Sequence, residues 1–314
     1  MLARILALLA VSLAASAQPY PVRPIHFICA FAPGGPVDVV ARLMATRLPE
    51  VLGQPVVVEN RPSTTGNLGT QVVARSPADG YTILATSSAF AVNVTLSANA
   101  GYDPTDFAPL FQAATQPNVI VVKSDFPAKT LRELLDLAKS AKLAYASPGT
   151  GTTPHLTAEN LFKSISKLDI THVPHKGAGP AAAAVVAGEP PIGSLAVTAP
   201  MGFIRAGRLR ALAISSSARH PLLPDVPTFE ELGFRDLQDY TWVGFFAPAG
   251  TPRDVVQKLN EAMNKVLQMP EVRERLEALT FEPVGGSAQQ FAEYVRAEVQ
   301  KWGRVVKETG ARVD

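Results

Sequence analysis

The chain reads as an α/β protein of mostly parallel sheets flanked by helices, and three observations predict this. Short runs dense in Val, Ile, Leu and Phe recur along its 314 residues, as parallel strands buried on both faces require. Helix-period segments separate the runs, the alternation typical of layered α/β domains. The 27 prolines fall at the edges of these segments rather than inside the helices.

Taken in order, the expected strands are "IHFICAF" (25–31), "PVVVEN" (55–60), "YTILATS" (81–87), "NVIVVK" (118–123), "LAYASP" (143–148), "ITHVPH" (170–175), "PIGSLAV" (191–197), "LRALAISS" (209–216) and "WVGFFAP" (242–248). The segment "VDVVARLMATRLPEVLG" sets Val39, Val40, Leu43 and Leu48 on one stripe and closes on Gly53, a helix with a glycine stop. "TLRELLDLAKSA" opens with Thr130 and Glu133 at capping-box spacing. "TPRDVVQKLNEAMNKVLQ" opens with Thr251 as cap and Pro252 at the first helical position. Beyond it the pattern is mainly helical over 252–268, 270–279 and 288–309, with room for one strand at 281–284. If this tail packs on the first domain, the chain crosses between domains twice, near 118–123 and 242–248. Two crossings permit a hinge closure without free twisting. The expected division is a leader at 1–17, one domain from 18–120 plus 246–314, and a second at 121–245.

The first residues, "MLARILALLAVSLAASA", carry one early positive charge, an apolar run and a small-x-small pattern at Ala15-Ser16-Ala17. That is the pattern of a cleaved secretory signal. The run is too short for a bilayer span of about 20 residues, so export to an envelope or extracellular space is expected, with cleavage near Ala17 and no stable membrane insertion. Losing 1–17 removes one basic residue, Arg4, from 29, against 27 acidic ones. Near-neutral charge gives no basis for a nucleic-acid partner. The single cysteine, Cys29, rules out an internal disulfide and reads as a small buried hydrophobe. Stability must come from burial, and the length suffices for two domains.

Two strand-to-helix turns stand out: "FAPGGPVD" (31–38) and "ASPGTGTTPHLTAENLF" (146–162). Glycine lets other atoms approach the backbone, and a helix start offers unpaired N–H groups with partial positive charge. Such turns, gathered beyond the carboxyl ends of strands, can hold an anion without a cationic side chain. Tight-turn geometry alone is the competing explanation. Ser87, Ser88, Thr150, Thr152 and Thr153 add hydroxyl donors, with loop decoration as the alternative for each. Asp38 cannot hold a carboxylate; it complements its own helix dipole or meets a hydroxyl or ammonium on a ligand's far end. His155, near a helix start, is either a ligand contact or a packing residue.

Other constellations fall short. "GTGTTP" lacks the third glycine of a dinucleotide fingerprint, and Asp169 precedes its strand instead of following it. "SISK" (164–167) has none of the partner motifs of penicillin-interacting enzymes. His172 and His175 are separated by Pro174 on strand-like sequence, which disfavours a shared metal face. No nucleophile–base or paired-carboxylate arrangement is evident, so no cofactor, metal or turnover is expected.

At these residues the chain resembles the Bug receptors, the periplasmic solute-binding proteins of tripartite tricarboxylate transporters. The likeness runs in order through "YPVRPIHFICAFAPGGPVDVVAR" (20–42), "LGQPVVVENRP" (52–62), "ADGYTIL" (78–84), "YDPTDFAPL" (102–110), "THVPHKG" (171–177), "AGRLRALAISS" (206–216), "LPDVPTFEELG" (223–233) and "APAGTPRDVVQKLN" (247–260). The resemblance implies a two-domain, Venus-flytrap fold closing on a small organic acid. It also implies a carboxylate held by backbone amides and hydroxyls of loops from both domains. By motif, the ligand loops are Ala32, Pro33, Gly34, Gly35 and on to Asp38; Ser87 and Ser88; and Gly149, Thr150, Thr152, Thr153 and His155, with Lys176 and Gly177 near the cleft. Three blocks depart from the family's usual form. Residues 61–67 read RPSTTGN for RPGAGGN, His175 replaces an aromatic, and 188–193 read GEPPIG where GGQVD is usual.

The expected role is that of a receptor, monomeric, that binds a small carboxylate without converting it and delivers it to membrane transporter subunits. A ligand-sensing subunit for a membrane histidine kinase differs from this by partner, and an exported hydrolase or isomerase by turnover.

Overall fold

The computed structural model describes residues 20–97, 99–235 and 237–309; the expected leader at 1–17 lies outside the described residues. The first group of strands, β1 (Ile25–Cys29), β2 (Val56–Asn60) and β3 (Thr82–Ser87), pairs in parallel in the order β2-β1-β3. Helices α1 (Pro36–Leu52) and α2 (Asn67–Ala74) make the crossovers, and α3 (Ala89–Leu96) follows β3. The chain then enters β4 (Phe107–Lys123), whose first half pairs with β9 (Tyr240–Pro248) and whose second half pairs with β7 (Ile192–Ala196) and β8 (Leu209–Ile214).

The second group adds β5 (Ala144–Ser147) and β6 (Thr171–Pro174), parallel in the order β7-β5-β6. Its helices are α4 (Leu131–Leu137), α5 (Thr153–Glu159) continued by π turns over 160–165, α6 (Ala178–Ala187) and α7 (Thr198–Arg205). After β9 come α8 (Arg253–Leu267), α9 (Pro270–Ala278), the short β10 (Glu282–Pro283) on β4, and α10 (Ala288–Thr309). Parallel pairing thus holds inside each group, while β4 and β9 run antiparallel. One carries the chain out of the first group and the other brings it back, so side by side they point in opposite directions.

The apolar cores segregate in the same way. One cluster joins Phe27, Met44 and Phe111 to Trp242, Phe245, Leu259 and Trp302. Two others draw only on residues between Val119 and Leu237. Leu156 is the exception, a residue of α5 that packs into the first cluster.

Local signals act much as their chemistry dictates. Gly53 closes α1 in the left-handed region at φ 72°, its N–H donating to the Pro49 carbonyl at 2.9 Å. Thr130 accepts the Glu133 N–H at 3.2 Å, and Glu133 accepts the Lys129 N–H at 2.6 Å. Three expectations change. Pro49 sits inside α1, in its last turn, so prolines are not confined to edges. Helix α8 begins one residue late, because the Thr251 hydroxyl donates back to the Pro248 carbonyl at 2.7 Å instead of capping. The strand expected over 118–123 begins at Phe107. Its first half carries Pro109, Gln112, Gln116 and Pro117, which break the apolar run, and two register shifts against β9 accommodate them. Cys29 is a buried free thiol, pushed up to about 12 by burial, as a small hydrophobe should be. Among the described residues no helix is long and apolar enough to cross a membrane.

Candidate functional site

The carboxyl ends of β1, β3 and β5 open toward one another, and the loops that leave them wall a single cavity. Its lining comes from the start of α1 (Gly35, Pro36, Val37), the start of α3 (Ser87, Ser88), the turn into α5 (Pro148, Thr152, Thr153, Pro154) and the start of α6 (Ala178). Phe31, Ala196 and Thr241 complete it. No charged side chain is among these lining residues. Four helix starts aimed at one cavity make it electropositive through backbone N–H groups alone, which suits an anion.

The sequence reason is legible at α1. Gly34 takes φ 82°, a conformation that favours glycine, and Gly35 caps the helix with no side chain of its own. Pro36 sets the first helical φ and has no N–H to leave unpaired. Asp38 is buried and fully engaged: one oxygen accepts the Gly34 N–H at 3.1 Å, the other accepts from Arg42 Nε and Asn60 Nδ2, both at 2.9 Å. It braces the turn from behind. Of its two expected roles, service to its own helix start is the one the geometry supports.

The bareness of these loops has a second use. The Ala32 N–H donates to the Lys176 carbonyl at 3.0 Å, tying the first loop to the second group of strands. A Cβ on Gly177 would stand 3.2 Å from the Ala32 nitrogen, one on Gly149 1.7 Å from the Thr64 carbonyl oxygen, and one on Gly151 1.9 Å from Asn93 Oδ1. Backbone therefore meets backbone across the cleft, and glycine is what permits it. Gly179, in α6, is the cleanest case: its Cβ would lie 2.9 Å from the Pro33 carbonyl oxygen, with an ordinary φ. Gly179→Ala should favour the helix by roughly 0.5–1 kcal/mol yet weaken ligand binding about tenfold by holding the cleft ajar. A thermal melt without ligand and calorimetry with it read the two effects separately.

Among the residues picked from sequence, Gly35, Ser87, Ser88, Thr152 and Thr153 line the cavity. Ala32, Gly149, Lys176 and Gly177 make the cross-cleft contacts just described, and Pro33 and Gly34 are exposed at the lip. Thr150 lies half-buried at the tip of its turn, outside the lining. His155 is packing, not lining: its Nδ1 accepts the Gly151 N–H at 3.2 Å and its ring stacks on His172 with centroids 4.0 Å apart. Burial, and secondarily Lys163, pushes its pKa down to about 3, so the ring is neutral. His172 is likewise pushed down to about 3, first by burial, and contacts Ser147 Oγ at 2.7 Å. That serine–histidine pair is not a nucleophile at the cavity. Ser147 is fully buried and its Oγ accepts the Gly149 N–H at 3.1 Å, fixing the turn. His175, half-buried, is also shifted down by burial.

Lining residues outside the ligand loops expected from sequence include Phe31, Pro148, Ala178 and Ala196, whose apolar side chains carry no chemical signature. Thr241, Asn118 and Asp239 were also missed. Thr241, in the cavity lining, leads back through Asn118 to Asp239 in a buried polar chain on or beside the crossing strands β4 and β9. Its one sequence signal is polar residues at the ends of apolar runs. Asp239 is fully buried and its carboxyl is pushed up by that burial. No group of His, Cys, Asp or Glu suited to a metal occurs among the described residues.

Known proteins with the same architecture point in one direction. Residues 40–311 match the model of a family described as the tripartite tricarboxylate transporter family receptor. Protein BugT of Bordetella pertussis is 37% identical over 303 residues, 95% of this chain and 93% of that one. A Rhodopseudomonas palustris protein solved with adipate superposes with a TM-score of 0.89 at 33% identity, covering 94% of this chain and 100% of the other. MatC of the same organism, solved with bound malate, gives a TM-score of 0.87 at 33% identity, with 91% and 100% covered.

Proposed function

The chain belongs to the tripartite tricarboxylate transporter receptor family, and from that premise we propose that it catches a small organic carboxylate in its cleft and hands it to the membrane subunits of such a transporter. The observation that carries this is a cavity faced by four helix starts with no charged side chain in its lining. Peptide N–H groups and hydroxyls then hold the anion in place of a cation. Relatives solved with adipate and with malate support an organic acid as ligand.

The mechanism is binding and closure without turnover. We take 18–120 with 246–314 as one unit and 121–245 as the other; the segregated apolar cores support two such units, with Val119 and Ile120 packing in the second and Trp242, Val243 and Phe245 in the first. A ligand that touches both units favours the closed arrangement by its differential affinity for it. We place the working chain in the periplasm as a monomer, with its leader cut near Ala17. Calorimetry of the mature chain against mono-, di- and tricarboxylates tests the proposal. Saturable one-to-one binding of at least one acid is expected, and failure of every acid to bind would overturn it.

A further inference from the structure

Three hydroxyls at the cavity wall form a one-way chain. Thr241 Oγ1 donates to Asn118 Oδ1 at 2.7 Å. Asn118 is oriented by its Nδ2, which donates to Asp239 Oδ2 at 2.8 Å. A hydroxyl has one proton. With the proton of Thr241 spent on Asn118, the 2.7 Å contact between Thr241 and Thr153 requires Thr153 to donate. The 3.0 Å contact between Thr153 and Ser88 then requires Ser88 to donate. Ser88 is completely buried and lines the cavity. It faces that cavity with lone pairs only. Its neighbour Ser87 is the opposite: its Oγ accepts the Ala89 N–H at 3.4 Å and keeps its own proton.

A carboxylate accepts hydrogen bonds and cannot donate them. It fits against Ser87 and the peptide nitrogens of α1, but not against Ser88. We propose that the ligand is a 2-hydroxycarboxylate, its carboxylate on the Ser87 side and its hydroxyl donating to Ser88 Oγ. This rests on the carboxylate-receptor reading above and narrows it. A 2-ammonium group also donates, but no carboxylate side chain is among the lining residues to pair it, and the helix starts repel a cation. Ser88 is therefore a specificity-determining residue, and Thr153, Thr241 and Asn118 act through it by setting where its proton points.

The test uses two isosteric sets titrated into the mature chain: lactate, propionate and alanine; malate, succinate and aspartate. In at least one set the hydroxy acid should bind about tenfold or more tighter than its deoxy partner, since a buried acceptor is left unmet without the hydroxyl. Thr241→Val frees the Thr153 proton for Ser88 and turns the Ser88 proton toward the cavity, so the preference should shrink toward unity. Ser88→Ala should abolish it as well, and a thermal melt checks that each variant is folded. Equal affinity for hydroxy and deoxy acids, binding confined to acids without a hydroxyl, or tightest binding of an amino acid would overturn this assignment while leaving the receptor standing. Loss of all carboxylate binding across the wider panel would instead remove the parent reading, and this one with it.

Discussion

Replacing Gly149 with alanine is expected to lower ligand affinity about a hundredfold or more, equivalent to roughly 2.7 kcal/mol, while leaving the chain folded. The added Cβ would stand 1.7 Å from the Thr64 carbonyl oxygen, a backbone atom of the opposite loop that has nowhere to go. A smaller clash, 2.9 Å, falls on the His175 carbonyl beside it. The first contact exists only while the two loops touch, so its cost falls on the closed arrangement and hence on the bound state. Gly149 also has φ 147°, so alanine adds local strain of roughly 1–3 kcal/mol in either arrangement. Gly53→Ala separates the two effects: Gly53 has φ 72° with nothing within 4 Å of its Cβ position. It should lose stability by a similar amount and bind ligand normally. Calorimetry and thermal melts on both variants decide the matter; wild-type affinity in the Gly149 variant would show that the loops do not meet in the bound state.

Acid should destabilise the native chain through its stacked histidines, over a range where most carboxylates are still ionised. His155 and His172 have pKa values pushed from 6.5 to about 3, in both cases first by burial. In the unfolded chain each imidazole takes up a proton near its ordinary value; in the native chain it refuses one until far lower pH. Stability is therefore complete above about 6.5 and falls as pH drops toward 3. At about 1.4 kcal/mol per unit, the pair accounts for several kcal/mol by the acid end. Asp239 works the other way. Its carboxyl, raised by burial, holds a proton that the unfolded chain has lost, so its contribution declines as pH rises. The histidine effect is therefore best read as the difference between wild type and His155→Gln in urea midpoints from pH 6.5 to 4.5. The variant should have the shallower slope, and identical slopes would mean that His155 is already protonated in the native chain.

The distribution of these effects reflects what a linear chain can and cannot display. Strand–helix alternation, Gly53 as a stop and Thr130 with Glu133 as a start are local, because the deciding atoms lie within a few residues of each other. The first half of β4 is not local. Pro109, Gln112 and Pro117 look like loop until β9 arrives to pair with them. Asp38 was visible as a carboxylate in a glycine turn, but its role depended on Asn60, 22 positions away. His155 could be a ligand contact or a packing residue by sequence, and the stack on His172 shows how it packs.

By itself, the sequence determined the α/β class, the order of nearly every element and the two glycine turns that leave β1 and β5, since periodicity and turn chemistry act between near neighbours. Only the tertiary structure decided that those turns face each other, that their glycines admit the opposite loop's backbone, and that Ser88 meets Thr153 across 65 positions. Hydrogen-bond direction and cross-cleft contact depend on atoms brought together by folding, and no spacing along the chain encodes which proton points where.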